Sequence, residues 1–179
     1  MKLTNRTDIA LRTLIYLAIN DERIVPIDEI VEKSASHRSQ VVSAVQTMRK
    51  NGYLRSVVGR SGGIALARTP SDISVSEIVK LIEPDFYLTE CHLRGCRVRC
   101  TFYMACRLKE EFDTALARFF DHLEGVTLAD LAGNREALLA EVAKSPAARG
   151  EPCMNPAVAG PADQAAWPSS LPSMLCQIF

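Results

Sequence analysis

Apolar positions mark out a series of short helices before any other property is considered. Ile9, Leu11, Leu14, Ile15, Leu17 and Ala18 recur at helical spacing, which predicts a helix over residues 7–20 with Thr7 or Asp8 as its N-cap. Pro26 opens a second helix, residues 26–33, with Ile27, Ile30 and Val31 inward. A brief turn at 34–37 leads to a third helix, 38–51, whose apolar face is Val41, Val42, Val45 and Met48 and whose stop is Gly52. In residues 53–68 two β-prone runs flank GRSGG, the pattern of a hairpin with a glycine-rich tip. A fourth helix, 74–82, is capped by Ser74 and halts near Pro84. A long helix over 107–123 carries an apolar stripe of Phe112, Ala115, Leu116, Phe119, Phe120 and Leu123, and Thr127 caps a last helix running to Lys144.

The fold class that follows is mainly α with a small β-hairpin wing: a winged helix-turn-helix plus a long dimerisation helix. The expected division is a DNA-binding unit at 1–83, a cysteine-rich loop at 84–106, the dimerisation and C-terminal helices at 107–144, and a disordered tail at 145–179. The tail holds six of the nine prolines, and its only charged residues are Arg149, Glu151 and Asp163.

Charge sharpens this picture. The whole chain is formally neutral, yet residues 1–70 carry eleven Lys and Arg against six Asp and Glu, while residues 71–144 carry nine against thirteen. A basic N-terminal half on a neutral chain suits a localised anionic partner. The polar face of the third helix offers His37, Arg38, Ser39, Gln40, Ser43, Gln46, Thr47 and Arg49. Short polar side chains let such a helix enter a major groove closely, and Arg and Gln can read base edges. Arg55 and Arg60 of the wing are placed for phosphates or a minor groove, and Gly59, Gly62 and Gly63 let the backbone approach DNA. Each unit would read one half-site, so a homodimer on a pseudo-palindromic double-stranded operator is expected.

No apolar run approaches a membrane span, and the N-terminus lacks the apolar core of a signal peptide, so a cytoplasmic protein without membrane association is expected. In a reducing compartment the segment ECHLRGCRVRCTFYMACRLK, with Cys91, Cys96, Cys100 and Cys106, points to metal or redox chemistry rather than disulfides. The C-x4-C-x3-C-x5-C spacing lacks the paired C-x2-C knuckles typical of structural zinc. Iron–sulfur ligation, zinc and a thiol–disulfide switch all stay open on spacing alone. No Ser-His-Asp set, phosphate-cradling loop or convincing carboxylate pair suggests catalysis. His37, His92 and His122 are scattered and read as surface or cap residues.

MKLTNRTDIALRTLIYLA, SQVVSAVQTMRKNGYLRSVVGRSGGIALA, ISVSEIVKLIEP, CTFYMACRLK and VTLADL occur in order over residues 1–144. Together they resemble the Rrf-type iron–sulfur winged-helix regulators, and TDIALR, the EP-x-F/Y-x-L-x-EC approach and ACRLK resemble the nitric-oxide-sensing repressor branch of that family. The resemblance implies an iron–sulfur cluster, 4Fe–4S with 2Fe–2S as the alternative, held by Cys91, Cys100 and Cys106. Cys96 is the surplus thiol and the alternative middle ligand. Asp8, supplied by the partner subunit, would complete the site. The implied function is repression that nitric oxide relieves. An iron- or cluster-status regulator with the same fold, and a cluster-free thiol sensor, are the alternatives. The wing departs from the family pattern, which often has Arg where this chain has Val58.

Overall fold

The computed structural model describes residues 2–59, 62–92 and 100–144. In chain order they form α1 (Asn5–Ile19), α2 (Ile27–Ser34), α3 (Arg38–Lys50), β1 (Leu54–Val57), β2 (Gly63–Leu66), α4 (Val75–Ile82), α5 (Arg107–Glu124), α6 (Leu128–Ala132) and α7 (Arg135–Lys144). Short 3-10 turns lie at Pro70–Asp72, Glu90–His92 and Tyr103–Ala105. The expected mainly helical architecture with one hairpin is what the chain adopts. The tail expectation for 145–179 falls outside the described residues.

α1 is the central helix. Ile9, Leu14 and Leu17 are fully buried against Val41 and Met48 of α3, Ile78 of α4 and Leu128 of α6. Burying one such side chain contributes about 1.5–3 kcal/mol, so this contiguous cluster supplies most of the driving force for the N-terminal unit. On α3 the buried set is Val41, Ala44, Val45 and Met48. That is the i, i+3, i+4, i+7 series; Val42 is only half-buried, and Ala44 takes the place the sequence reading gave it.

The N-terminus of α1 differs from expectation. The helix begins at Asn5 with Thr4 as N-cap, and no side chain within the first turn caps it. The acceptor comes from elsewhere in the chain. The Glu83 carboxylate, just past the end of α4, takes the Thr4 amide at 2.6 Å, the Thr4 hydroxyl at 3.0 Å and the buried Thr7 hydroxyl at 2.5 Å. Burial pushes this carboxyl up, but the bonds from Thr7 and Thr4 outweigh it and hold Glu83 below the usual carboxylate range. An anion at a helix N-terminus is also favoured by the helix dipole.

Between α2 and α3 the chain turns through Ala35, whose φ of 52° is left-handed. Gly52, at φ 78°, ends α3 as anticipated. The hairpin is antiparallel, with Leu54 opposite Leu66 and Arg55 opposite Ala65. Val25 adds a third backbone partner, exchanging both hydrogen bonds with Ile64 at 2.9 Å. A Cβ on Gly63 would run into the Val25 carbonyl, so glycine there lets the wing base sit against the α1–α2 connection.

Ser74 caps α4 by accepting the Glu77 amide, and Thr127 forms a capping box with Asp130, both as expected. The last helix is not continuous, however. Gly133 N–H bonds back to Asp130 O at 3.2 Å, closing α6, and Asn134 O accepts from Leu138 N–H at 3.0 Å to start α7. Glycine's conformational cost in a helix interior favours the break at Gly133. Arg135 then grips the end of α1, donating to Ile19 O at 2.8 Å.

Candidate functional site

Two surfaces carry chemistry. The first is the exposed face of α3 and the wing. Arg38, Ser39 and Ser43 are exposed on α3 and Gln40 is half-exposed, while the buried series holds the helix to α1. Arg38 pairs with Asp28 at the start of α2. Both partners are exposed, so this pair is worth little in water and can be exchanged for a phosphate contact. Gln40 Oε1 accepts from Asn5 Nδ2 at 3.4 Å, which links this face to the first turn of α1. Arg55 is exposed on β1, opposite Ala65. Gly62 and Gly63 are half-buried and lie at the start of the returning strand. The Arg60 expectation falls outside the described residues. Val58 is 97% exposed at the tip.

The second surface is a pocket of about 470 Å³ lined by Thr89, Glu90, Cys91, Cys100, Cys106, Leu108, Lys109 and Phe112. The three thiols that the family resemblance singled out therefore share one cavity, although Cys91 and Cys106 are 15 positions apart. None of the three is in a disulfide. Cys96 lies outside the described residues. Asp8 does not line the pocket of its own chain; it is half-exposed in the first turn of α1, paired with Arg12 at 3.0 Å.

The residues suit a thiolate-held inorganic group in two respects. Soft sulfur donors converge from the Glu90–His92 turn, the segment before Tyr103 and the N-cap of α5. Lys109 supplies a cation at the wall. Among the described residues no three Cys, His, Asp or Glu side chains meet closely enough for a single ion. The rim is apolar and uncovered: Phe102 is 75% exposed, and Leu108 and Tyr103 are also exposed.

His92 corrects the sequence reading, which made it a surface or cap residue. Its side chain is only 10% exposed. Thr89 Oγ1 lies 2.6 Å from His92 Nδ1 and 2.9 Å from Cys91 Sγ. His92 Nε2 lies 3.0 Å from Asp113 Oδ1 on α5, in contact but off the line of a ring N–H hydrogen bond. Lys109 bonds Asp113 at 2.9 Å and holds the Asp113 carboxyl below its usual range, with His92 adding to the effect. No local pattern marks this grouping, because His92 and Asp113 meet only through the fold.

α5 carries the expected stripe in an unexpected state. It has no buried residue; Phe112, Leu116, Phe119 and Leu123 are half-buried at a, d-like spacing, and Ala115 is exposed. Phe120 packs edge-on against Phe86 at 4.6 Å and against Phe119 at 5.3 Å, with Lys80 over its ring.

Residues 3–134 match the family described as Rrf2, iron-dependent transcriptional regulator. A protein called HTH-type transcriptional regulator NsrR from Bacillus licheniformis is 35% identical over 137 residues, covering 76% of this chain and 95% of that one. Its namesake from Bacillus subtilis is 34% identical over 140 residues, covering 78% and 95%. Among solved structures, IscR of T. potens matches with a TM-score of 0.59 and 22% identity over 82% of this chain and 93% of that one. Oxidized CymR of Staphylococcus aureus matches at 0.59 and 23%, covering 74% and 96%. The family match takes in the reading face, the thiol pocket and α5 in a single span, and this chain belongs to the Rrf2 family of iron-dependent transcriptional regulators, DNA-binding proteins rather than enzymes.

Proposed function

We propose that this chain is a homodimeric repressor that reads a pseudo-palindromic operator with α3 and the wing, and releases it when nitric oxide destroys an iron–sulfur cluster. The cluster would be held by Cys91, Cys100 and Cys106, with Asp8 from the partner subunit. A cytoplasmic location follows from that role. The carrying observation is the single pocket that gathers three unpaired cysteines, in a chain 34–36% identical to proteins named NsrR.

When bound, the cluster supplies irons with which nitric oxide reacts; the rest is the work of the chain. The three thiolates would fix the group between the Glu90–His92 turn and α5, and Lys109 offsets its negative charge. The apolar rim and the uncovered α5 stripe suit coverage by a second copy, which would exclude water and bring in Asp8. A carboxylate is a harder, weaker ligand for iron than a thiolate, so Asp8 would hold its iron less firmly than the three cysteines hold theirs. α1 joins Asp8 to Asn5 and Asn5 to Gln40, so freeing Asp8 bears on the reading helix. Each lost base contact costs about 1–3 kcal/mol of discrimination, and a few suffice for release.

The test is anaerobic purification with a visible spectrum and an iron and sulfide assay, then nitric oxide titration followed by operator binding. A brown, iron- and sulfide-containing protein that leaves its operator on nitric oxide supports the reading. Colourless, iron-free protein that still binds the operator defeats it. Release on iron chelation but not on nitric oxide would favour an iron-status regulator instead.

A further inference from the structure

We propose that His92 is a positioning residue for Cys91, holding its sulfur in the pocket through Thr89 and fastening the cysteine segment to α5 through Asp113. The proposal rests on Cys91 being a cluster ligand, as argued above.

The geometry assigns the two ring nitrogens to two different elements. On the Nδ1 side, one hydroxyl, Thr89 Oγ1, touches both the imidazole at 2.6 Å and the sulfur at 2.9 Å. The direct approach of Nδ1 to Cys91 Sγ is longer, at 3.8 Å, so Thr89 is the intermediary. On the Nε2 side, Asp113 Oδ1 stands 3.0 Å away, and Lys109 locks that carboxylate from the preceding turn of the same helix. The Phe112 ring, 6.5 Å from the imidazole centroid, closes a further side. His92 itself lines a neighbouring cavity, while Thr89 and Cys91 line the thiol pocket. That neighbouring cavity, of about 440 Å³, is also lined by Phe86, Tyr87, Asp113 and Leu116.

A cysteine side chain has one torsion to set where its sulfur points. A hydroxyl fixed from behind by a buried ring narrows that choice. Outer-shell partners of metal ligands orient them in this way, and their loss typically weakens metal retention by about 10–100-fold. The relay also makes a mechanical link. The first thiol is joined to α5 by side chains, independent of the peptide chain between Cys91 and Cys100.

Asn and Gln separate the two jobs, since an Asn amide nitrogen stands near Nδ1 and a Gln amide nitrogen near Nε2. Wild type, His92→Asn, His92→Gln, Thr89→Val and Asp113→Asn should be loaded anaerobically and compared by visible circular dichroism, which responds to how each sulfur is turned. The rate at which an iron chelator strips each should be measured as well. His92→Gln and Thr89→Val should alter the dichroism and speed stripping about tenfold or more. His92→Asn should keep the wild-type dichroism. Asp113→Asn should speed amide hydrogen exchange across residues 86–92 in the metal-free chain. Wild-type dichroism and stripping rates in both His92→Gln and Thr89→Val would overturn the positioning role. Unchanged exchange in Asp113→Asn would overturn the fastening role. If wild type itself takes up no iron, the cluster reading has failed and the Cys91 role falls with it, while the exchange measurement still decides the link to α5.

Discussion

The reading head and α5 are built from similar proportions of apolar residues but bury them very differently. α1 alone places eight of its 15 residues in the interior. α5, with 18 residues and three phenylalanines, buries none. The head completes its core within one chain. The cysteine pocket and α5 present an apolar rim and stripe that one chain leaves half in water. Locally marginal elements are where switching equilibria are found, because a ligand or partner can shift them at little cost. On the proposed function, the sensing chemistry falls in the part of the molecule whose order depends most on what is added to it.

The largest test of that contrast is removal of a thiol. Cys91→Ala or Cys106→Ala should eliminate bound iron, whereas Cys96→Ala should leave it largely intact. The head of the metal-free protein should unfold within a few degrees of wild type by thermal denaturation, because no thiol touches its core. If Cys96→Ala bleaches the protein and Cys100→Ala does not, the middle ligand is Cys96.

Next comes the stripe. Leu116→Glu with Phe119→Glu should convert dimer to monomer in sedimentation and lower operator affinity about 100-fold or more, since one half-site contributes little alone. Far-ultraviolet dichroism of the head should survive. By contrast, Leu14→Ala strikes a fully buried side chain and should cost about 2–5 kcal/mol in urea denaturation, whatever the cluster does.

A smaller effect belongs to Glu83. Its folded pKa lies below the unfolded value of 4.5, so its stabilisation is complete above that pH and is lost as pH falls through the folded value. Glu83→Gln should therefore cost about 2 kcal/mol near neutrality. The cost should shrink toward zero as the solution is acidified below the ordinary carboxylate range, in paired denaturation curves. A constant cost across that window would show that the carboxylate charge is not what caps α1.

The smallest is Ala35. Left-handed backbone penalises any Cβ, so Ala35→Gly should raise stability by about 0.5–1 kcal/mol. A loss of stability there would mean that the methyl group packs better than its torsion costs.

Helix spacing and caps were legible from the sequence because they are local. Ser74, Thr127, Pro26 and Gly52 each act within a few residues, and the long helix was placed to within one position. What escaped was non-local. The cap of α1 comes from Glu83, 79 positions away from Thr4, so Thr7 and Asp8 were assigned a task that another element performs. Val42 was put inside because valine is apolar, while alanine at 44 had the right phase and the smaller signal. His92 looked incidental because its partner Asp113 is 21 positions on and reaches it only when α5 folds back. The thiols were easy to find as a set, but that three of them share one pocket is a fact about packing, which spacing cannot supply.

The double bridge between Val25 and Ile64 has a consequence for how such a regulator diversifies. It anchors the hairpin's root to the main body, at the end away from the bend. Val58, just past β1, is wholly bathed in solvent. Substitution at Val58 therefore leaves the interior undisturbed, and a wing rooted in this way can vary on an unchanged scaffold.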